Sequence, residues 1–145
     1  MFRIIHVIMN LVVIMITVVS ALIEKDNKYL IAKRTTGDPN LIGKWEFPGG
    51  KLEPNENEFE AIEREMKEEF ELTVKAISYI THNIHKYPSK TIDLKLYRCA
   101  YIKGDFYLHD HSQYAFVSLK EILDYDLAPA DIPLVKKLEE YYANK

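Results

Sequence analysis

The sequence predicts an α/β domain in which a mixed β-sheet is covered by helices. Three observations carry that expectation: runs rich in β-branched and aromatic residues recur along the chain, two main helical stretches interrupt them, and no repeat, low-complexity tract or linker separates the parts. A chain of 145 residues suffices for one hydrophobic core. Hydrophobic residues make up 48% and charged ones 28%, a globular composition that excludes intrinsic disorder. A net charge of −3 gives no general attraction to nucleic acid polymers or acidic membranes. The single cysteine, Cys99, excludes an internal disulfide and a zinc site built from several thiolates.

The elements follow in chain order. Residues 4–23 carry no formal charge, long enough for a membrane span or a signal-like segment. His6, Asn10, Thr17 and Ser20 weaken that reading, and residues 16–24 read instead as a strand, followed by a turn at Asp26-Asn27 and a second strand over 28–33. Residues 1–14 are therefore treated as a hydrophobic extension, with Met15 a candidate start and a membrane anchor the alternative, and the domain is placed at 15–145. Residues 35–44 read as a loop, and 45–51 as a short strand ending in a Pro-Gly-Gly turn. Asn57 with Glu60 forms a helix-entry pair that opens a helix over 58–70. Strands are expected over 74–87, over 90–102 (half-buried, because Ile92, Leu94 and Leu96 alternate with Asp93, Lys95 and Tyr97) and over 114–119. A short helix at 119–125 and a longer one from Pro133 to about Asn144 complete the chain.

The central helix is too acidic for an ordinary surface helix. Nine glutamates fall between Glu53 and Glu71, with only Arg64 and Lys67 as cations. At about 100° per residue, Phe59, Ile62, Met66 and Phe70 share an arc of about 80°, while Glu65, Glu68 and Glu69 share an edge beside that arc. Like charges three and four apart cost some tenths of a kcal/mol per pair. A position beside buried surface adds a desolvation cost. A divalent cation offsets both, and oxygen-only ligands suit Mg²⁺ or Mn²⁺. The competing reading is a solvated Glu-rich face.

The frame around the helix separates the two. Gly50, five residues, Glu56, seven residues, then Arg64-Glu65-Met66, one residue, Glu68-Glu69, one residue, Glu71-Leu72 resembles the Nudix box, which has glycine where Glu71 stands. The 23-residue match is specific because several residue types coincide at set spacings. The missing glycine ends a helix in a left-handed turn. A glutamate there costs about 1 kcal/mol if its φ is positive, so altered stability is expected rather than lost chemistry. The flanking WEFPGGKLE and LAPADIPLVKKL segments, with IAKR at 31–34, are similar to the MutT-type branch over most of residues 15–142.

The resemblance implies the Nudix fold, an α/β/α sandwich with a mixed sheet and a loop-helix-loop. It implies Glu65, Glu68 and Glu69 as metal ligands with the Gly50 carbonyl, Arg64 holding the carboxylates, Glu56 behind it, and Mg²⁺ or Mn²⁺ as cofactor. Asp110, in the loop before the 114–119 strand, would bind a metal or act as base; a solvated loop aspartate is the equal alternative. His82 and His85 fall on opposite faces of a strand and make no convincing zinc site with His109 and His111. Arg34 and Lys51 would hold phosphates and Phe47 would pack beside the base, although an aromatic there also suits the core. Asp131 would read the base edge, its carboxylate accepting from an amino group such as cytosine N4; alternatively it caps the last helix.

The function implied is hydrolysis of a nucleoside triphosphate, either an oxidised purine such as 8-oxo-dGTP or a cytidine nucleotide, to monophosphate and pyrophosphate. Water attacks phosphorus while metal ions neutralise the phosphate oxygens. The alternatives are another nucleoside diphosphate derivative (ADP-ribose, a nucleotide sugar, a dinucleoside polyphosphate) and a nucleotide-binding regulator without turnover. A cytoplasmic monomer or homodimer with a nucleotide as its partner is expected, serving nucleotide pool sanitation.

Overall fold

The alternation of side chains along two neighbouring strands explains the whole architecture. In the computed structural model, which describes residues 2–8 and 11–145, with side chains from Ile14 onward, β1 (Phe2–Ile8) leads to β2 (Leu11–Lys25) and β3 (Lys28–Arg34). After β4 (Trp45–Glu46) and β5 (Gly49–Lys51) come α1 (Glu58–Phe70), β6 (Thr73–Lys86), β7 (Thr91–Lys103), β8 (His111–Val117), α2 (Leu119–Ile122) and α3 (Ile132–Ala143). Central β2 runs parallel to β7 from Met15↔Thr91 to Ile23↔Cys99, and antiparallel to β3 and β5. The sheet is therefore mixed, ordered β4-β3-β2-β7-β6, with β1 and β5 on β2 and β8 on β3.

Ile16 and Leu22 of β2, with Ile92, Leu94 and Leu96 of β7, pack under Leu134, Val135 and Leu138 of α3 and Ile122 of α2. Val19, Ala21 and Ile23, with Tyr97 and Cys99, pack under Ala61, Ile62, Met66 and Phe70 of α1. Helices thus cover both faces, the α/β/α arrangement expected. This also corrects one expectation: the first half of β7 is covered on both faces rather than half-buried, because helices pack on each side of the sheet and even Asp93 is 2% exposed, whereas Arg98 and Tyr101–Lys103 are exposed.

Local signals placed most elements well. Asp26 and Asn27 both adopt positive φ, 53° and 62°, the tight turn that two short polar residues permit between β2 and β3. The expected strand at 45–51 is two strands: Trp45–Glu46 pairs with β3, whereas Gly49–Lys51 pairs with Ser20–Val18 of β2. Pro48 marks the crossing; it has no N–H to donate, while its carbonyl accepts from Ala21 N at 2.8 Å. The last strand begins earlier than expected, at His111, and ends at Val117, because Ser118 caps α2.

The charge-free N-terminal run forms β1 and the start of β2, paired antiparallel from Phe2↔Ile16 to Ile8↔Leu11. β2 begins at Leu11, ahead of the strand expected over 16–24, because the β-branched run continues back through Val12 and Val13. Residues 1, 9 and 10 of the expected extension lie outside the described residues. Among the described residues no helix is long and apolar enough to cross a membrane.

Candidate active site

The phase of α1 is set at its first turn. Asn57 Oδ1 accepts from Glu60 N at 2.8 Å, and Glu60 Oε1 accepts from Asn57 N at 3.1 Å, so two open helix N–H ends are satisfied reciprocally. With that start, Ala61, Ile62, Met66 and Phe70 face the sheet. Phe59, expected in that stripe, is instead 40% exposed and lies edge-on to Tyr97.

Arg64 organises the carboxylates. Its Nε and Nη2 donate to the two oxygens of Glu56 at 3.0 and 2.7 Å, and Nη2 also donates to the Lys51 carbonyl at 3.1 Å. Nη1 donates to Glu65 at 2.9 Å and Glu68 at 3.2 Å. The fork shape of the guanidinium makes this four-partner arrangement available to arginine and not to lysine. The hydrogen bonds from Arg64 hold the Glu56 carboxyl below its ordinary range. Burial pushes Glu65 up, against the pull of Arg64.

Glu69 stands apart. Burial first, then the charges of Glu65, Glu46 and Asp110, push its carboxyl up to about 9. Its Oε2 is buried and has no hydrogen-bond partner. Glu65 turns toward β5, where Gly50 lies so close that a Cβ would overlap the Glu65 carboxyl group. Gly50 is thus a cradle for a carboxylate as well as a turn residue. Glu68, on the outer side of the edge, is exposed and tied to Arg64. Among the described residues, no three carboxylate, histidine or cysteine side chains stand at metal-holding spacing, Glu65 and Glu68 being bonded to Arg64.

A cleft runs beside this edge, lined by Gly50, Lys51, Arg34, Glu46, Phe47 and Asp131 among others. Lys51 is exposed, and Arg34 Nε lies 3.4 Å from Glu46 Oε2. Phe47 is 3% exposed within the core and also lines the cleft. Asp131 does not cap α3: its backbone is already right-handed helical and its side chain makes no cap bond. Its Oδ2 accepts instead from the Phe47 N–H at 2.9 Å. Burial, then Glu46, pushes Asp131 well above the usual carboxylate range, against the pull of that N–H. Asp110 is exposed on the segment after β7, within electrostatic reach of Glu69. A wider groove, lined by Lys25, Phe106, Tyr114 and Phe116, contains none of these residues.

A profile of the NUDIX domain matches residues 18–137. The CTP pyrophosphohydrolase of Escherichia coli K12 is 37% identical over 122 residues, 84% of this chain and 90% of that protein. The chain belongs to the Nudix domain family. It is a Nudix hydrolase of the MutT type: the E. coli K12 8-oxo-dGTP diphosphatase is 27% identical over 81% of this chain and 92% of its own length. The crystal structure of a MutT protein from Methanosarcina mazei Go1 superposes with a TM-score of 0.78 at 27% identity, covering 90% of this chain and 94% of that one.

Nudix hydrolases generally need a divalent metal, and the residues present fit one. An unpartnered buried oxygen on Glu69, a carboxyl pushed up by burial and then by the neighbouring acids, and an all-oxygen donor set are what such an ion answers.

Two residues of this Nudix site were missed in the sequence. Glu46 lines the cleft at 12% side-chain exposure, between the carboxylate edge and Asp131, and acts electrostatically on both. His111 is fully buried, with Nε2 2.9 Å from Glu46 Oε2 and its ring stacked on Phe70 at 5.1 Å. Glu46 carried a signal, a charged residue on a strand immediately before the Pro-Gly-Gly turn; His111 carried none beyond its place beside Asp110.

Proposed function

We propose that this Nudix hydrolase cleaves a nucleoside triphosphate to the monophosphate and pyrophosphate in a reaction that depends on Mg²⁺ or Mn²⁺. The observation that carries the proposal is a cleft lined by Arg34, Lys51, Lys90 and the buried carboxyl of Asp131, with Gly50 joining it to the acidic edge that holds the orphaned Glu69 oxygen. A divalent ion held by Glu65, Glu68, Glu69 and the Gly50 carbonyl would neutralise phosphate oxygens and lower the pKa of a water. Arg64, anchored by Glu56, orients Glu65 and Glu68. Arg34 and Lys51 meet the phosphate chain. Asp110 accepts the proton of the attacking water.

Base recognition falls to Asp131 with Phe47. A protonated Asp131 offers one O–H donor and keeps an acceptor oxygen, while Phe47 N–H fixes the carboxyl's orientation. That pair matches cytosine, which presents an acceptor at N3 beside the N4 amino donor, and equally an oxidised guanine, which presents O6 beside N1–H. The similarity to a CTP pyrophosphohydrolase favours the cytidine nucleotide and that to an 8-oxo-dGTP diphosphatase the purine. The catalytic domain is assigned to residues 15–145, with 1–14 as an addition to it.

A panel of canonical and oxidised nucleoside triphosphates, with Mg²⁺ and with EDTA, tests the reading. Mg²⁺-dependent release of pyrophosphate from CTP or 8-oxo-dGTP is expected. Release of orthophosphate, or no release from any triphosphate, would defeat it.

A further inference from the structure

Glu71, which stands where the family motif has glycine, does more than tolerate the position. Its backbone is left-handed, with φ 56° and ψ 32°, and its N–H closes the helix on Lys67 and Met66 carbonyls. Its Oε2 lies 2.8 Å from His109 Nε2. His109 belongs to the segment between β7 and β8 that ends at Asp110.

That segment is tied to the end of α1 by other contacts too. Tyr107 N donates to the Phe70 carbonyl at 3.1 Å and His109 N to the Glu69 carbonyl at 3.4 Å, so the segment satisfies carbonyls that the helix leaves open. At its other end, Gly104 approaches the Glu71 carbonyl so closely that a Cβ would stand 2.7 Å from it. Asp110 then reaches the site: its carbonyl accepts from Thr35 N at 2.9 Å, and its charge acts on Glu69.

We propose that Glu71 and His109 form a latch that holds the 104–110 segment against the end of α1 and thereby sets Asp110 beside Glu69. They are positioning residues, and the consequence for catalysis rests on the hydrolysis proposed above. Glycine at 71 would adopt the same backbone without strain but has no side chain to reach His109. The chain thus accepts an unfavourable backbone conformation and gains a side-chain tether at the exposed end of the segment, 107–110. Because both partners are half exposed, the tether is modest, and its effect lies in geometry rather than in bulk stability.

The test uses the full chain as Glu71→Gly, His109→Ala, the double variant, and Glu71→Gln, which keeps a hydrogen-bonding side chain. Each single change should lower kcat about threefold with KM unchanged, and the double should be no slower than either single, since both remove one contact. Glu71→Gln should recover most of the rate, and Glu71→Gly should melt no lower than the parent. In the resting protein, amide hydrogen exchange at Tyr107 and His109 should quicken about threefold in both single variants. Unchanged exchange overturns the latch whether or not any nucleotide is hydrolysed. Faster exchange with unchanged kcat, or a double variant whose loss is the product of the two single losses, overturns the positioning role. An inactive parent with the expected exchange changes would fault the proposed reaction and leave the latch standing.

Discussion

Replacing Glu69 by glutamine should stabilise the metal-free protein. Burial and the charges of Glu65, Glu46 and Asp110 hold its carboxyl at about 9 against an ordinary value of 4.5. At pH 7 the folded chain must therefore keep a proton that the unfolded chain has released. Holding the acid protonated across that interval costs about 3 kcal/mol, which an uncharged amide does not incur. The sign follows from the raised value: the parent's full stability is present below 4.5 and is lost progressively as pH climbs toward 9. Parent and variant should melt together near pH 4.5 and diverge above it, with a gap of about 10 °C at pH 7 for a domain of this size. Thermal and urea melts in EDTA at pH 4.5, 7 and 9 measure it. Saturating Mg²⁺ should narrow or reverse the gap, since the parent gains more from binding. A variant less stable than the parent at pH 7 in EDTA, or a gap that does not widen with pH, would refute the reasoning.

Asp131→Asn should keep the contact with Phe47 N–H through its amide oxygen while removing a buried acid; its stability advantage, absent at pH 4, should grow toward pH 8 in denaturant melts. The same variant should shift the ratio of kcat/KM between CTP and 8-oxo-dGTP, because an amide's donor and acceptor atoms are fixed and a carboxyl's are not. Gly50→Ala pushes only on the movable end of Glu65, so the fold should survive with kcat reduced by about a hundredfold or more; Gly49→Ala drives a Cβ into the Val19 carbonyl on the backbone and should unfold the protein or lower its melting point sharply. An equal loss of stability in the two alanine variants would contradict this assignment.

Helix α1 was legible almost to the residue because its determinants are local: Asn57 and Glu60 cap each other, and the apolar positions repeat at helical spacing. The Asp26-Asn27 turn was legible for the same reason. The division of 45–51 into two strands was not, since it depends on Ser20 and Val18 of β2 lying where Gly49–Lys51 can pair with them. Nor could sequence decide between helix capping and the cleft for Asp131; that choice is made by the Phe47 N–H, far away in the chain. Glu71 was expected to affect stability alone, because nothing in its neighbourhood of sequence shows that His109 returns to meet it. The carboxylate edge itself was readable from spacing. The inward turn of Glu65 and Glu69 and the outward turn of Glu68 required the sheet beneath the helix.

The most direct test of the metal-dependent account is calorimetric titration of the apoprotein with Mn²⁺ at pH 7, repeated in two buffers of different ionisation enthalpy. If Glu69 is a protonated ligand awaiting a cation, binding should expel about one proton per ion, giving a buffer-dependent heat that Glu69→Gln abolishes. Absence of binding, or binding without proton release that the variant matches, would contradict the account.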